Sequence, residues 1–142
     1  MMKQLYSKGF TLIELMVVVV IIAIIASIAI PSFFDSVRKA RRSDAKEALF
    51  DVSARLEQYY QDNKGYPTTA DMTLLGYLNN PYVSPEGYYD ISFVGTPDAT
   101  SYTIQAKPNP KGKQDEDRNC QTFIYNNLGV KDVSKGLPDD CW

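Results

Sequence analysis

The pattern of apolar and polar residues divides the first 63 residues of the chain into two parts. From Leu15 to Ile30 every residue is apolar except Ser27. Together with Phe10–Glu14 this run would span about 30 Å as a helix, the thickness of a bilayer core. After Pro31, apolar residues recur every three or four positions, which predicts an amphipathic helix with one buried face. The apolar face contains Ala45, Leu49, Val52, Leu56 and Tyr59, and the polar face contains Asp44, Glu47, Asp51, Arg55, Gln58 and Asp62.

Both patterns belong to one long predicted helix. Residues 63–65, Asn-Lys-Gly, combine a basic residue with residues that tolerate the left-handed conformation, so they predict where the helix ends. We therefore expect a helix over residues 10–63, apolar over 10–36 and amphipathic over 37–63. Pro31 cannot donate a helix hydrogen bond, and its ring clashes with the carbonyl four residues back. A kink is expected there.

The remaining residues, 64–142, are predicted to form a small globular domain. Glycine and proline residues predict an irregular connection over 64–86. Alternating apolar and polar residues then predict strands over 89–93 and 102–107, with a third around Phe123 and Tyr125. Such an antiparallel meander on a long helix is an α+β fold. The residues expected to anchor the connection are Leu74, Leu75, Tyr77 and Leu78, and Asn126–Gly129 is the predicted turn.

Composition argues against most enzymatic mechanisms. The chain has 15 Lys and Arg, 17 Asp and Glu, and no His. Histidine is the commonest general base and metal ligand in proteins. The chain contains no glycine-rich phosphate loop, no Cys/His metal spacing and no nucleophile beside a base. We expect neither enzymatic activity nor a cofactor. Residues 115–117 and 139–140 carry carboxylates suited to Ca²⁺, but their spacing is not that of an EF-hand loop. A solvated acidic turn is favoured.

Two cysteines lie near the C-terminus, Cys120 and Cys141. A cysteine pair in a small domain beyond a membrane segment indicates a disulfide in an oxidising compartment. On the chain-entropy model, closing a loop of this length would stabilise the fold by about 3 kcal/mol. Two unpaired buried thiols are the alternative.

The segment Lys8–Val18 reads KGFTLIELMVV and places one carboxylate, Glu14, inside the apolar run. An ionisable group at membrane depth is costly and by default indicates a function. This segment resembles the class III leader and N-terminal segment of type IV pilins. The resemblance implies that a prepilin peptidase removes residues 1–9 by cutting between Gly9 and Phe10, and that Phe10 is then N-methylated.

The resemblance also implies an assembly mechanism. Glu14 of an incoming subunit would neutralise the Phe10 amine of a neighbour in the filament core and so set the register of docking. Residues 10–36 would serve first as a transmembrane helix and then as filament core. Pro31 belongs to this assembly segment, which in relatives unwinds outside the membrane. Ala23 stands where many relatives carry Gly, and Ala favours the intact helix.

The C-terminal part is also similar to pilins. Cys120–Cys141 resembles the disulfide-bounded loop that closes many pilin domains, and Asp139–Trp142, Gln58–Tyr60 and Tyr66 resemble a minor pilin subgroup. The resemblance implies the pilin fold and a structural subunit of a type IV pilus that serves adhesion, twitching motility or DNA uptake. Its implied partners are other pilin subunits, the prepilin peptidase, the inner-membrane assembly platform and, before assembly, the membrane.

Two arguments about membrane orientation conflict. Arg38, Lys39, Arg41 and Arg42 follow the apolar run, and the positive-inside rule alone would place them in the cytoplasm. The cysteine pair and the leader resemblance imply the opposite. The globular domain is therefore expected in the periplasm before assembly and outside the cell in the pilus. The four cations would then contact anionic headgroups, or acids of neighbouring subunits.

Three other functions compete with this interpretation. A basic stretch comprises Lys107, Lys111, Lys113 and Arg118, but acids interrupt it. A solvated loop is favoured over a DNA contact, and a DNA-binding pilin for natural transformation stays open. A type II secretion pseudopilin shares the leader, although the terminal cysteine pair favours a pilus. The absence of His argues against a membrane-anchored enzyme.

Overall fold

The computed structural model describes residues 9–112 and 114–142. The chain forms two compact units, one ending at Val37 and the other running from Arg38 to Trp142. Residues 1–8 of the expected leader, and Lys113 of the basic stretch, lie outside the described residues.

The long helix, α1, spans Leu12–Asn63 and contains Pro31. It ends where the sequence predicts, because Lys64 adopts the left-handed conformation with a φ of 60°. Its apolar part has a mean hydropathy of 3.1 and is long enough to cross a membrane. The apolar side chains of this part are exposed, from Leu12 at 77% to Phe34 at 53%. A long helix with these properties confirms the first part of the expected fold.

The second unit contains an antiparallel five-stranded sheet with strands in chain order. The three predicted strands are present. In the first two, buried side chains alternate with more exposed ones, as expected for a sheet with one face on the core. The two outer strands were not predicted. They are two and three residues long, too short for an alternation to be visible in the sequence. The elements are β1 Tyr82–Val83, β2 Tyr89–Phe93, β3 Thr103–Pro108, β4 Phe123–Asn126, β5 Lys131–Val133 and the short helix α2 Pro138–Cys141.

The core lies between the amphipathic part of α1 and the sheet. The predicted apolar face of the helix is buried, with Leu49, Val52 and Leu56 fully inaccessible. These side chains belong to one cluster with Tyr89 and Phe123, whose rings meet edge to face at a centroid distance of 5.8 Å. Burial of this face provides the main stabilisation of the unit, because each buried aliphatic side chain contributes about 1.5–3 kcal/mol.

The connection over residues 64–86 is anchored by a partly different set of residues than expected, which includes the fully buried Met72. Leu75 and Tyr77 are buried, but Leu74 is 47% exposed and Leu78 is 94% exposed, so the prediction was wrong for these two. Gly76, at a φ of 84°, ends a turn of 3₁₀-helix and changes the direction of the chain between Leu74 and Leu78. Only one side of that turn can therefore face the core.

Asp44 corrects the predicted polar face of α1. Its side chain is buried rather than solvated, and only 6% of the residue is exposed. One carboxylate oxygen accepts a hydrogen bond from the Ser84 hydroxyl at 2.5 Å, and the other accepts from the Glu86 N–H at 3.1 Å. The Tyr88 N–H donates to the same carboxylate oxygen as the Ser84 hydroxyl. Asp44 thus holds the turn between β1 and β2 against the helix, which is a role that helical periodicity cannot reveal.

The two cysteines form the expected disulfide. Cys120 and Cys141 are bonded, with their Cα atoms 5.7 Å apart, so the alternative of two unpaired thiols is wrong. The bond closes a loop that contains β4, β5 and most of α2. It ties the last strands of the sheet to the C-terminal residues.

Candidate functional site

The first candidate site is the start of α1, where Thr11 and Glu14 form part of a capping box. The Glu14 N–H donates to Thr11 Oγ1 at 3.3 Å, and the Leu15 N–H donates to the Thr11 carbonyl at 3.2 Å. This contact satisfies a backbone donor that has no partner within the helix. It also explains why the helix begins at Leu12, two positions after the predicted start. The spacing Thr-x-x-Glu over residues 11–14 is the sequence signal that predicts such a cap.

The expected processing residues stand just before this cap. Gly9 and Phe10 are both exposed, Phe10 at 83%. A Cβ at Gly9 would meet no atom within 4 Å, so nothing in the described chain requires a glycine there. Structure alone therefore gives Gly9 no folding role, which leaves recognition by another protein as a reason for it.

A buried ion pair joins α1 to the disulfide loop. Arg42 Nε lies 2.7 Å from Asp117 Oδ2, and Arg42 Nη2 donates to Asp117 Oδ1 at 3.0 Å. The two side chains are 8% and 2% exposed. One prediction was wrong here, because Asp117 is buried and does not belong to a solvated acidic turn. Arg42 is paired within its own chain rather than free on the surface of the helix.

Asp117 is further satisfied by its own loop. The N–H groups of Asn119 and Cys120 each donate to its Oδ1 at 3.2 Å, and Gln114 Nε2 donates to its Oδ2. A buried charge is tolerated only with this kind of complete partnership. Arg42 Nη1 also contacts the Asp140 carbonyl at 3.5 Å. One arginine of the helix is thus linked to residues beside both cysteines.

The three described residues of the basic stretch are all exposed. Lys107 is exposed on β3, opposite Asp90 of β2. Lys111 is exposed in the 3₁₀ turn Pro110–Gly112. Arg118 instead lines a cavity beside Arg42, and neither Lys107 nor Lys111 lines that cavity. A DNA contact through these residues stays a prediction.

Two tyrosines, Tyr66 and Tyr102, have their hydroxyl groups close to Glu57 near the end of α1. Tyr66 donates to Glu57 Oε1 at 2.8 Å, and the Tyr102 hydroxyl lies 2.8 Å from Ser53 Oγ. Burial, reinforced by the Glu57 charge, raises the pKa of Tyr102 to about 12. The same causes raise the pKa of Tyr66. Both phenols stay neutral at physiological pH and serve as hydrogen-bond donors. Among the described residues, no group of three or more potential metal ligands occurs.

Comparison with known proteins gives two family matches. Residues 5–30 match the family described as the prokaryotic N-terminal methylation motif. Residues 31–124 match the family described as type IV minor pilin ComP, DNA uptake sequence receptor. The second match covers more than half of the chain.

Individual relatives come from pili and from a secretion system. The chain is 34% identical over 115 residues to the fimbrial protein EcpC of Eikenella corrodens, covering 80% of this chain and 72% of that one. It is 36% identical over 88 residues to the type II secretion system core protein G of Klebsiella michiganensis. That match covers 62% of this chain and only 61% of the Klebsiella protein.

A solved structure supports the fold. The minor pilin PilV of Neisseria meningitidis superposes with a TM-score of 0.53 at 22% sequence identity, covering 70% of this chain and 89% of that one. Its likeness concerns the fold, an N-terminal helix on an antiparallel sheet. Taken with the two family matches, the exposed apolar helix and the disulfide-closed sheet, it leads to one conclusion: this chain belongs to the family of type IV minor pilins.

Proposed function

We propose that this chain is held in the inner membrane by α1, cut after Gly9 by a prepilin peptidase and assembled with other pilin subunits into a type IV pilus. The observation that carries this proposal is the exposed apolar part of α1. Side chains such as Ile28, 73% exposed, have no cover within the described chain. So large an apolar surface is stable only against lipid or against other protein. A membrane before assembly and a bundle of subunit helices afterwards supply these two environments. The globular domain would lie in the periplasm first and outside the cell in the pilus.

Glu14 is the polar group that such a bundle has to accommodate. Placed among apolar helices, an unpaired carboxylate would be penalised by several kcal/mol. Cleavage after Gly9 would create a positive amine on Phe10, and a neighbour's amine would pair with the carboxylate. The observed capping contact uses the Glu14 backbone N–H. A return hydrogen bond from the Glu14 side chain to the Thr11 N–H, which would complete the capping box, is a competing structural reason for a glutamate there. An experiment therefore has to separate charge from capping.

Glutamine at position 14 makes that separation, because it keeps side-chain length and suits the capping box but carries no charge. We expect Glu14→Gln and Glu14→Val to insert in the membrane normally and to lower the amount of this subunit in sheared filaments at least about tenfold, since an unpaired amine is left behind. Ser27→Val, another polar-to-apolar change in the same run, is the control. Intact mass should show mature chains that begin at Phe10.

The possible results lead to different conclusions. Normal incorporation of Glu14→Gln with loss of Glu14→Val would assign Glu14 to capping and remove the ion pair from the proposal. Normal incorporation of both variants would contradict any role of Glu14 in assembly. A mature chain that keeps residues 1–9 would refute the proposed cleavage.

DNA binding is a second candidate function, favoured by the description of the matched family as a DNA uptake sequence receptor. The chain has a net charge of −2, so binding would depend on local cations such as Lys107 and Lys111. Lys107→Gln/Lys111→Gln should weaken duplex DNA binding and reduce the salt dependence of log K by about 1–2. Lys64→Gln/Lys135→Gln is the matched control. Equal effects of both double variants would argue against a DNA site at this place.

A type II secretion pseudopilin is a third candidate, because the Klebsiella relative is a core protein of such a system. Deletion of the gene separates the two assemblies. Loss of DNA uptake or of pilus-dependent motility with normal protein secretion supports the pilus. Loss of secretion with normal pili supports the pseudopilus.

A further inference from the structure

An open cavity of about 470 Å³ lies between α1 and the disulfide loop. Its size falls within the range of small-molecule sites, about 300–1,000 Å³. All of its lining residues belong to the second compact unit. They include three cations and one carboxylate. The lining consists of Lys39, Arg42, Arg118, Asn119, Cys120, Gly136, Leu137 and Asp140.

Arg42 offers this cavity a fixed donor. Its Nε and Nη2 are held by Asp117, and only 7% of the residue is exposed. A guanidinium carries five N–H donors in a rigid plane. The only contact of Nη1 with a described residue is the 3.5 Å approach to the Asp140 carbonyl. The ion pair therefore orients the arginine while leaving donor capacity at the cavity.

Lys39 and Arg118 add exposed positive charge to the cavity lining. Both side chains are exposed, and neither has a hydrogen bond or ion pair with any residue that the structure describes. Two carboxylates oppose these cations. Asp117 is already paired with Arg42, and Asp140 lines the cavity itself. Three cations against two carboxylates leave an excess of one positive charge, which favours an anion.

The position of the cavity along the chain indicates where that anion comes from. Lys39 follows Ile30, the end of the apolar run, by nine positions in the sequence. Phe33 and Phe34 lie between them and are 64% and 53% exposed, as aromatic residues at a membrane interface are. Leu137, also 66% exposed, adds an apolar part to the cavity lining. Cations just outside a membrane span attract anionic lipids.

We propose that this cavity binds a phosphate group through Arg42, Lys39 and Arg118, and that an anionic phospholipid headgroup supplies it while the chain is held in the membrane. A recessed cavity accommodates a single phosphate group better than a continuous duplex backbone. Lys107 and Lys111, the cations considered for DNA, lie outside its lining. The inference goes beyond assembly of the filament and does not depend on it.

The test uses the full mature chain in detergent micelles and measures bound lipid by native mass spectrometry. Phosphatidylglycerol is compared with phosphatidylcholine, and inorganic phosphate is titrated separately by ³¹P NMR. Lys39→Gln/Arg118→Gln should weaken phosphatidylglycerol binding at least about tenfold, because two charge-assisted contacts are lost. Asp140→Asn should strengthen it, because a repelling carboxylate is removed. Lys64→Gln/Lys135→Gln changes the net charge equally at residues that do not line the cavity, and should change binding less than about twofold.

Each outcome bears on the proposal. None of these variants touches the Arg42–Asp117 pair, and unchanged thermal unfolding would confirm that the fold is intact. If inorganic phosphate binds the parent chain and not Lys39→Gln/Arg118→Gln, while the parent chain shows no preference for phosphatidylglycerol, that result would support the phosphate site and assign free phosphate as its source. Equal binding of the two lipids without phosphate binding, or an equal loss in the control variant, would overturn it. If Lys39→Gln/Arg118→Gln lost duplex DNA binding while its lipid binding stayed unchanged, the lipid proposal would be overturned in favour of a DNA site.

Discussion

The two parts of α1 differ in what surrounds them, although they belong to one helix. Over residues 9–36 nearly every side chain is exposed, including large ones such as Ile22 at 59%. After Arg41, positions such as Ala45 and Leu49 have no accessible surface. The first part is apolar on all sides, and the second is apolar on one side only. A helix that is apolar all round requires a surrounding apolar medium, whereas an amphipathic helix requires one packed face.

This difference separates two kinds of constraint on the sequence. In the second part each buried residue has to fit its neighbours, because protein interiors are close-packed. In the first part the described chain offers no neighbours, so the constraint comes from lipid or from other subunits. Substitutions should therefore affect folding stability in one part and assembly in the other. Three stability experiments test this division.

The largest stability effect is expected at the ion pair that fastens the second part of α1 to the disulfide loop. Arg42→Met should lower the free energy of unfolding by about 3–5 kcal/mol, because it leaves the buried Asp117 carboxylate without its counter-charge. Urea denaturation of the full chain in micelles measures this value. Lys39→Met, at an exposed position of the same helix, is the control and should change it by less than about 0.5 kcal/mol.

The double variant Arg42→Met/Asp117→Leu sharpens this result. Replacing both members of a buried ion pair with apolar residues is often close to neutral. The double variant should therefore be more stable than Arg42→Met alone. A double variant as unstable as the sum of the two single variants would mean that the pair contributes through packing rather than charge.

A pair of leucine substitutions compares the two parts of the helix directly. Leu49 is fully buried and Leu15 is 61% exposed. Leu49→Ala should cost about 2–5 kcal/mol of unfolding free energy, because it removes core contacts and leaves a cavity. Leu15→Ala should leave that value unchanged within error. Similar losses in both variants would show that the first part of α1 contributes to domain stability and would contradict the division.

The disulfide should contribute slightly less than the ion pair. Cys141→Ser should lower the free energy of unfolding by about 2–4 kcal/mol, because the unfolded chain regains the freedom of the loop. In the parent chain, alkylation without reduction should label neither cysteine. Labelling of both thiols in the folded protein would contradict the bond. Leu137→Ser, an exposed change within the same loop, is the control.

The helix, the predicted strands and the disulfide were accessible from the sequence because their signals are local. The apolar run, the spacing of Leu49, Val52 and Leu56, and the alternation over residues 89–93 repeat within a few positions. Local periodicity reflects which face of an element is buried, whatever covers it. The pilin-like segment before Val18 is equally local, and it indicated the family before any fold was known.

Whether a charged residue on the helix is buried or solvated depends on the tertiary structure. Asp44 and Ser84 are 40 positions apart, and Arg42 and Asp117 are 75 positions apart. A polar side chain next to an apolar face is buried only where a residue far away in the sequence provides a hydrogen-bond or ion-pair partner, and otherwise it stays solvated. The same reason explains the short strands β1 and β5 and the cavity beside Arg42. Local patterns in the sequence define which surfaces have to be covered, and long-range contacts define which polar groups are buried with them.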